Sequence, residues 1–185
     1  MIRSLASGLR RAARFAVPTV LAVTAISASA GLIDGVASPA QVLTLKMSIT
    51  ENLIFTGAAP CFFISNVQGQ GKSSQFGGSF TVSSTDCMNP HGTFDPNNGN
   101  AFSFASQAPG LVITTAAGHK VYASYSGTVR RLGAMTGNFV ILGGTGPYYG
   151  ATGGGLLLGY TQLSPSGVAN GTVDGYGTLQ LAQQP

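Results

Sequence analysis

Apolar and polar residues alternate with a period of two along most of the chain after residue 42. The pattern is clear in Leu-Thr-Leu-Lys-Met-Ser-Ile, residues 43–49, and in residues 80–84. Because successive side chains of a β-strand point to opposite faces, this period predicts strands with one buried face. Such runs recur about every 8 to 12 residues with glycine or proline turns between them, and none after the leader shows capped helical periodicity. The pattern predicts an all-β sandwich or barrel.

Two details of the strand pattern refine this prediction. Residues 101–105 and 111–115 are predicted as short strands separated by Pro109-Gly110. In the last strand, glycine at every second position lets the chain coil sharply, which favours a closed barrel over a sandwich. Val173 and Leu179 share one face of that strand with these glycines, and Asp174 and Tyr176 share the other. Which of these two faces lines the interior is left open.

The first 30 residues have a different composition from the rest. A segment with four arginines and no acid precedes a short apolar run, residues 16–26, and then Ala28-Ser29-Ala30. This is the pattern of a secretory signal peptide, residues 1–30, with cleavage as late as residue 40 as an alternative. The apolar run is shorter than the about 20 residues that a membrane span needs. We expect a flexible N-terminus over 31–42, a barrel domain over 43–185, and no stable membrane insertion of the mature chain.

Removing the leader changes the charge. The whole chain has nine Lys and Arg residues against five Asp and Glu, a formal net charge of +4. Four of the basic residues lie in the leader, so the remaining five balance the five acids. Without a basic patch, a nucleic-acid partner is not predicted. The expected location is secreted, or the periplasm or cell envelope.

Cys61 and Cys87 are the two cysteines of the chain. They flank two strand-like runs separated by a glycine-rich turn, so hairpin pairing would bring them together. In an exported protein this predicts a disulfide. A metal ligand or a catalytic thiol is the alternative, but neither cysteine has a second cysteine near it in the sequence.

Glycines are concentrated in residues 143–153, which read Gly-Gly-Thr-Gly-Pro-Tyr-Tyr-Gly-Ala-Thr-Gly between two apolar runs. This segment resembles the Gly-Gly-Thr-Gly-x-aromatic-x-Gly-Ala-x-Gly stretch of the allene oxide cyclase and dirigent barrel superfamily, and bacterial secreted members in particular. Residues 71–76, 117–127 and 171–175 resemble further family segments in the same order. The chain departs from the family at Pro147, where a basic residue is usual, and at Ser73-Ser74, which lengthens an early turn.

The resemblance implies an antiparallel barrel of about eight strands with a central cavity, in a family whose members are often oligomeric. Plant members cyclise an oxylipin epoxide or guide the radical coupling of phenols. The catalytic acids of neither activity match positions in this chain. A homo-oligomer is therefore an expectation from the resemblance, and no catalytic residue is carried over.

Candidate catalytic residues come instead from the chain itself. A cavity enzyme needs a buried acid or base with a shifted pKa. Asp174, with Tyr176 on the same strand face, is one candidate if that face lines the lumen, and Glu51 is the other carboxylate considered. A solvent-facing Asp174–Tyr176 pair is the alternative.

Four tyrosines are candidates for lining a ligand cavity, with core packing as the alternative. They are Tyr122, Tyr125, Tyr148 and Tyr149. Asp86, Cys87, His91 and Asp95 form one cluster of potential metal ligands, but zinc sites need characteristic spacings that this cluster lacks. Neither a metal nor a cofactor is predicted.

Three functions remain after these steps. The leading one is a secreted, non-catalytic barrel that binds or positions a small apolar or phenolic molecule. The second is a cyclase or isomerase that uses a cavity carboxylate. The third is a structural exported scaffold without a ligand.

Overall fold

The computed structural model describes residues 38–93, 101–130 and 133–183, and these form one antiparallel sheet. Its strands are β1 (Gln41–Phe55), β2 (Phe63–Ser73), β3 (Gly78–Pro90), β4 (Phe102–Ser106), β5 (Leu111–Thr115), β6 (Lys120–Val129), β7 (Ala134–Gly144), β8 (Thr152–Leu163) and β9 (Val168–Gln180). Short 3-10 helices, Ser74–Phe76 and Gly146–Tyr148, lie in two of the turns, and the described ranges contain no α-helix. The predicted signal peptide lies outside the described residues, and β1 begins two residues before the predicted domain start at 43.

The sheet closes on itself. Its strands follow the order β2-β1-β9-β8-β7-β6-β4-β3, and β2 also pairs with β3. Strands β4 and β5 both pair with β3 and β6, so together they occupy one position in the wall. The barrel therefore has eight positions, and the prediction of a closed antiparallel barrel of about eight strands is confirmed.

Glycines occupy facing positions on strands β8 and β9. Gly155 lies directly opposite Gly177. A Cβ atom added to Gly177 would lie 2.1 Å from the carbonyl oxygen of Gly154, and one added to Gly155 would lie 2.1 Å from that of Tyr176. Because these contacts are with backbone atoms, no rotamer change relieves them. The alternate glycines of β9 thus permit the tight coiling that the sequence pattern predicted.

One end of the barrel is closed by aromatic side chains from the two 3-10 turns. The ring of Phe76 packs edge-to-face against Phe80 and Tyr148, with centroids 5.7 and 5.6 Å apart. The Tyr148 hydroxyl donates a hydrogen bond to the carbonyl oxygen of Gln75, at 3.1 Å. The glycine-rich segment 143–153 is the turn that carries Tyr148 over this end. Its role in the structure is therefore to build the closed end.

Phenylalanine rings gather at the opposite end. Phe55, Phe62, Phe63 and Phe102 form successive ring contacts with centroids 5.1 to 5.6 Å apart. The Cys61–Cys87 disulfide ties the β1–β2 loop to β3 beside these rings. The predicted disulfide is confirmed, and it is compatible with an extracellular or periplasmic location.

Replacing Gly177 with alanine should destabilise the protein by more than about 2 kcal/mol, since the new methyl group would overlap backbone atoms of β8. Thr178→Ala, at the next position and on the outer face, is the matched control and should change stability by about 1 kcal/mol or less. Urea denaturation of both variants measures the difference. If both variants lose the same free energy of unfolding, β8 and β9 do not require a glycine at position 177 in order to pack together.

Candidate functional site

A polar cluster lies inside the otherwise apolar lumen. Glu51 of β1 continues the inward series of Met47 and Ile49, at every second position of the strand. Asp86 of β3 and Tyr125 of β6 occupy inward positions of their own strands. Glu51 and Asp86 are 9% and 5% exposed, so strand alternation has placed two acids on the buried face of the sheet.

Hydrogen bonds connect Asp86 to Tyr125 and Ser84. The Tyr125 hydroxyl donates to Asp86 Oδ1 at 2.5 Å, and the Ser84 hydroxyl donates to the same oxygen at 3.3 Å. Ser84 Oγ also lies 2.5 Å from Tyr125 Oη. The carboxyl group of Asp86 is therefore held in one orientation by side chains from two strands.

Ser65 links the second acid to this group. It lies on β2 directly opposite Asp86 of β3, and its hydroxyl donates to Glu51 Oε2 at 3.3 Å. Ser65 is fully buried. Glu51 thus has one hydrogen-bond donor and Asp86 has two, which leaves the carboxyl group of Glu51 the less well solvated of the two.

A cavity of about 40 Å³ adjoins the two acids and Tyr125. Its remaining lining is aliphatic or thioether, and includes Met47, Val82, Met135 and Val173. A buried water needs roughly 10 to 15 Å³ of such volume, so the cavity has room for a few water molecules. A larger organic molecule requires side chains to move, and methionine is the side chain best suited to that.

Burial raises the pKa of both carboxyl groups. For Asp86, loss of solvation raises the pKa from 3.8 to about 6, against the opposing effect of the hydrogen bonds from Tyr125 and Ser84. For Glu51, loss of solvation and then the negative charge of Asp86 raise the pKa from 4.5 to about 7, partly offset by Ser65. Asp86 therefore loses its proton first, and its charge helps to keep the proton on Glu51.

Tyr125 remains a hydrogen-bond donor throughout this range. Burial and the charge of Asp86 raise the pKa of its hydroxyl group. Near neutral pH the cluster then combines an ionised Asp86, a Glu51 close to its titration midpoint and a neutral phenol. Carboxyl groups with pKa values near the working pH are effective general acids and bases.

The predicted catalytic candidates lie in different places. Glu51 is in the lumen, whereas Asp174 and Tyr176 are on the outer face of β9, where the exposed Tyr176 hydroxyl donates to Asp174 Oδ2 at 3.2 Å. The reason is that Val173 and Leu179 are buried, so the alternate residues point outward. The structure thus selects the solvent-facing alternative for the Asp174–Tyr176 pair.

Among the four tyrosines proposed to line a cavity, Tyr125 lines this one. Tyr148 is buried at the closed end of the barrel, and Tyr149 is 78% exposed. Tyr122 is half-buried on the outer side of β6, between the buried residues Val121 and Ala123.

Asp86 is the residue that sequence reasoning missed as a lumen acid. In the sequence it lies close to Cys87, His91 and Asp95, and that cluster suggests a potential metal ligand. In the structure Cys87 is in the disulfide, His91 is exposed, and Asp95 lies outside the described residues. The described ranges contain no group of three or more potential metal ligands. The sequence does contain a signal that Asp86 faces the lumen. Asp86 lies an even number of residues after the apolar Phe80 and Val82, so strand alternation places it on the same face as they are.

Comparisons with protein-family models and with curated proteins find no match to this chain. Within the described residues, no helix is long and apolar enough to cross a membrane. The fold and the site together define a closed antiparallel β-barrel with two hydrogen-bonded carboxyl groups inside its lumen.

The stability of the protein should fall as the pH rises from about 4.5 to about 7. In this window folded Glu51 keeps a proton that the unfolded chain has lost, so raising the pH favours unfolding. For Glu51 alone the loss is about 3 kcal/mol. Asp86 adds a loss of the same sign between about 4 and 6. Urea denaturation at a series of pH values measures this slope.

Glu51→Gln removes one titrating group and should flatten the upper part of the slope. Asp174→Asn, on the outer face, is the matched control because it keeps both lumen acids, and it should therefore retain their contribution to the slope. Wild-type stability that stays constant or rises between pH 4.5 and 7 would contradict raised pKa values in the lumen.

Proposed function

We propose that this protein is an exported barrel that holds a small, largely apolar or phenolic molecule in its lumen and isomerises or cyclises it by general acid–base catalysis. Glu51 and Asp86 would exchange the protons, and Tyr125 would orient Asp86. The observation that carries the proposal is the pair of buried carboxyl groups with raised pKa values in an apolar cavity. Perturbed acids in a cavity are typical of functional sites.

A purely structural role does not account for these acids. Removing a carboxyl group from water carries a penalty of several kcal/mol, and well-packed apolar residues in place of buried ionisable groups are often stabilising. Two serines and a tyrosine are also committed to hydrogen-bonding the pair. Such an arrangement is favoured when the acids have chemistry to perform.

The two acids suit an isomerisation because they are in different protonation states. Ionised Asp86 accepts a proton from a carbon of the substrate. Protonated Glu51 donates a proton to an oxygen of the substrate, such as that of an epoxide or carbonyl group. One proton leaves the substrate and one enters it, and transfer of the proton from Asp86 back to Glu51, through water in the cavity, restores the pair, so no co-reactant is needed. The apolar lining excludes water from a reactive intermediate.

The resemblance of residues 143–153 to the allene oxide cyclase and dirigent superfamily supports this reaction class and this type of ligand. The methionine and aliphatic lining suits an oxylipin epoxide or a phenol, but either molecule is larger than the cavity of about 40 Å³, so its binding requires lining side chains such as Met47 and Met135 to move. The predicted leader and the disulfide support export. A homo-oligomer remains a prediction from the resemblance.

Turnover of an unsaturated fatty-acid epoxide, and of a panel of phenols that carry an epoxide or carbonyl group, tests the reaction directly. Glu51→Gln and Asp86→Asn should each lower kcat by about 100-fold or more, because each removes a proton-transfer group. Asp174→Asn is the control carboxamide variant and should retain wild-type turnover. The wild-type rate should depend on the apparent pKa values of the coupled pair. Wild-type turnover in both lumen variants would exclude acid–base catalysis by these residues.

The cavity volume of about 40 Å³ favours a second candidate, a filled scaffold that binds nothing. Native mass spectrometry with the same epoxide and phenols distinguishes the two. The scaffold predicts that no molecule binds and that the Glu51→Met variant is more stable than the wild type. Binding of one molecule per barrel, lost in Glu51→Met, would exclude the scaffold.

A further inference from the structure

The barrel wall is interrupted beside the polar cluster. Along β3, pairing with β4 ends at Asp86, opposite Ser106, and pairing with β5 resumes only at Ser83, opposite Val112. Two residues of β3, Ser84 and Thr85, therefore lie at a gap between two short strands. Ser84 is one of the side chains that hydrogen-bonds Asp86.

The same gap is present on the other side. Along β6, pairing with β4 ends at Ser126 and pairing with β5 resumes at Ala123. Ser124 and Tyr125 lie between these positions. The chain over residues 107–110 leaves the plane of the sheet, and Gln107, Ala108 and Pro109 are exposed. The interruption is therefore bordered by Tyr125 on one side and Ser84 on the other.

At the gap, a few isolated hydrogen bonds replace the regular ladder of backbone hydrogen bonds between paired strands. The Gln107 amide donates to the carbonyl oxygen of Thr85 at 2.7 Å, and the Tyr125 amide donates to the hydroxyl oxygen of Ser106 at 3.1 Å. By contrast, β8 and β9 pair without a break from Thr152 to Leu163, and β6 and β7 stay paired through a single register shift between Tyr122 and Ala123. Separating the wall at the gap breaks far fewer bonds than separating two fully paired strands.

Gly110 allows the segment to lie against the wall. Its φ angle is +91°, and a Cβ atom there would lie 2.3 Å from the carbonyl oxygen of Ala123. The next residue, Leu111, lines the cavity beside Asp86 and Tyr125. The exposed turn is thus one residue away from the cavity wall.

We propose that residues 106–111 form a side door in the barrel wall, through which water and small molecules reach the Asp86–Tyr125 pair and the cavity behind it. The closed end of the barrel is filled by Phe76 and Tyr148, and phenylalanine rings lie at the other. The proposal depends on the proposed function in one respect: the molecule that enters is taken to be the substrate of the proposed reaction. Opening of the side door depends on the barrel wall and not on any reaction in the lumen.

Ser106→Ala tests the side door by removing the acceptor of the Tyr125 amide. Hydrogen exchange of that amide should accelerate about tenfold, as expected when one buried hydrogen bond is lost. Labelling of Asp86 and Glu51 by a water-soluble carbodiimide and an amine, followed by mass spectrometry, should accelerate by a similar factor. Ser106→Thr retains the acceptor and should restore wild-type rates.

Ser103→Ala is the matched control on the same strand. The Ser103 hydroxyl donates to the carbonyl oxygen of Asn89 at 3.3 Å in a fully paired part of the wall, so its removal should change labelling of the two acids by about twofold or less. Labelling of the outer residue Asp174 is the internal reference for reagent reactivity, and the urea denaturation midpoint of each variant checks that it is folded. Phe63→Ala opens the phenylalanine-lined end and should leave the labelling rates of Glu51 and Asp86 near those of the wild type.

Equal labelling of the lumen acids in Ser106→Ala and Ser103→Ala would overturn the proposal, as would faster labelling in Phe63→Ala alone. The labelling needs no catalysis, so the two proposals fail separately. Faster labelling in Ser106→Ala without turnover of any substrate supports the side door and excludes the proposed reaction. Turnover of a substrate, combined with no effect of Ser106→Ala on labelling, would support the proposed reaction and exclude the side door.

Discussion

Pairing of β2 with β3 closes the sheet, and this closure removes the inward side chains from water. In a flat sheet Glu51 and Asp86 would face solvent and titrate as ordinary acids. Inside a closed barrel they lose most of their solvation, and three hydroxyl groups replace part of it. The raised pKa values, the pH dependence of stability and the proposed chemistry all follow from this loss of solvation.

Different parts of the barrel wall are built in different ways to allow this closure. Gly155 and Gly177 let β8 and β9 approach closely enough to coil, and the aromatic side chains of the two 3-10 turns fill one end. Between β3 and β6 the wall is made of two short strands, and the gap between them falls beside Tyr125. The barrel is thus most continuous where glycines bring strands together and least continuous where the acids are held. A closed lumen that excludes water during a reaction still needs such a route for exchange.

Much of this architecture could be predicted from the sequence because it depends on local patterns. Period-two alternation predicted the strands, alternate glycines predicted coiling, and the strand–turn–strand spacing between Cys61 and Cys87 predicted the disulfide. The two short strands around Pro109-Gly110 were also predicted, but their end-to-end position beside the acids was not. That position depends on register between strands far apart in the chain, which no local pattern specifies.

The site was harder to predict for a similar reason. In β9, glycine is neither apolar nor polar, so the inward face was ambiguous until the burial of Val173 and Leu179 decided it. Asp174 then lies outside, and Glu51 and Asp86 share the lumen although 35 positions separate them in the chain. Asp86 follows the alternation of β3, but together with its neighbour Cys87 it also fits a cluster of potential metal ligands. Register across β2, through Ser65, is what brings the two acids together.

Carbon-13 NMR titration of the side-chain carboxyl groups tests the central claim most directly, with Glu51→Gln and Asp86→Asn used to assign the two signals. Two coupled transitions should appear, with apparent midpoints near 6 and 7, and Asp86→Asn should lower the midpoint of Glu51 by removing the neighbouring charge. Midpoints close to 3.8 and 4.5, the ordinary values for the two acids, would show that they are well solvated, and would contradict a closed lumen that holds a functional acid pair.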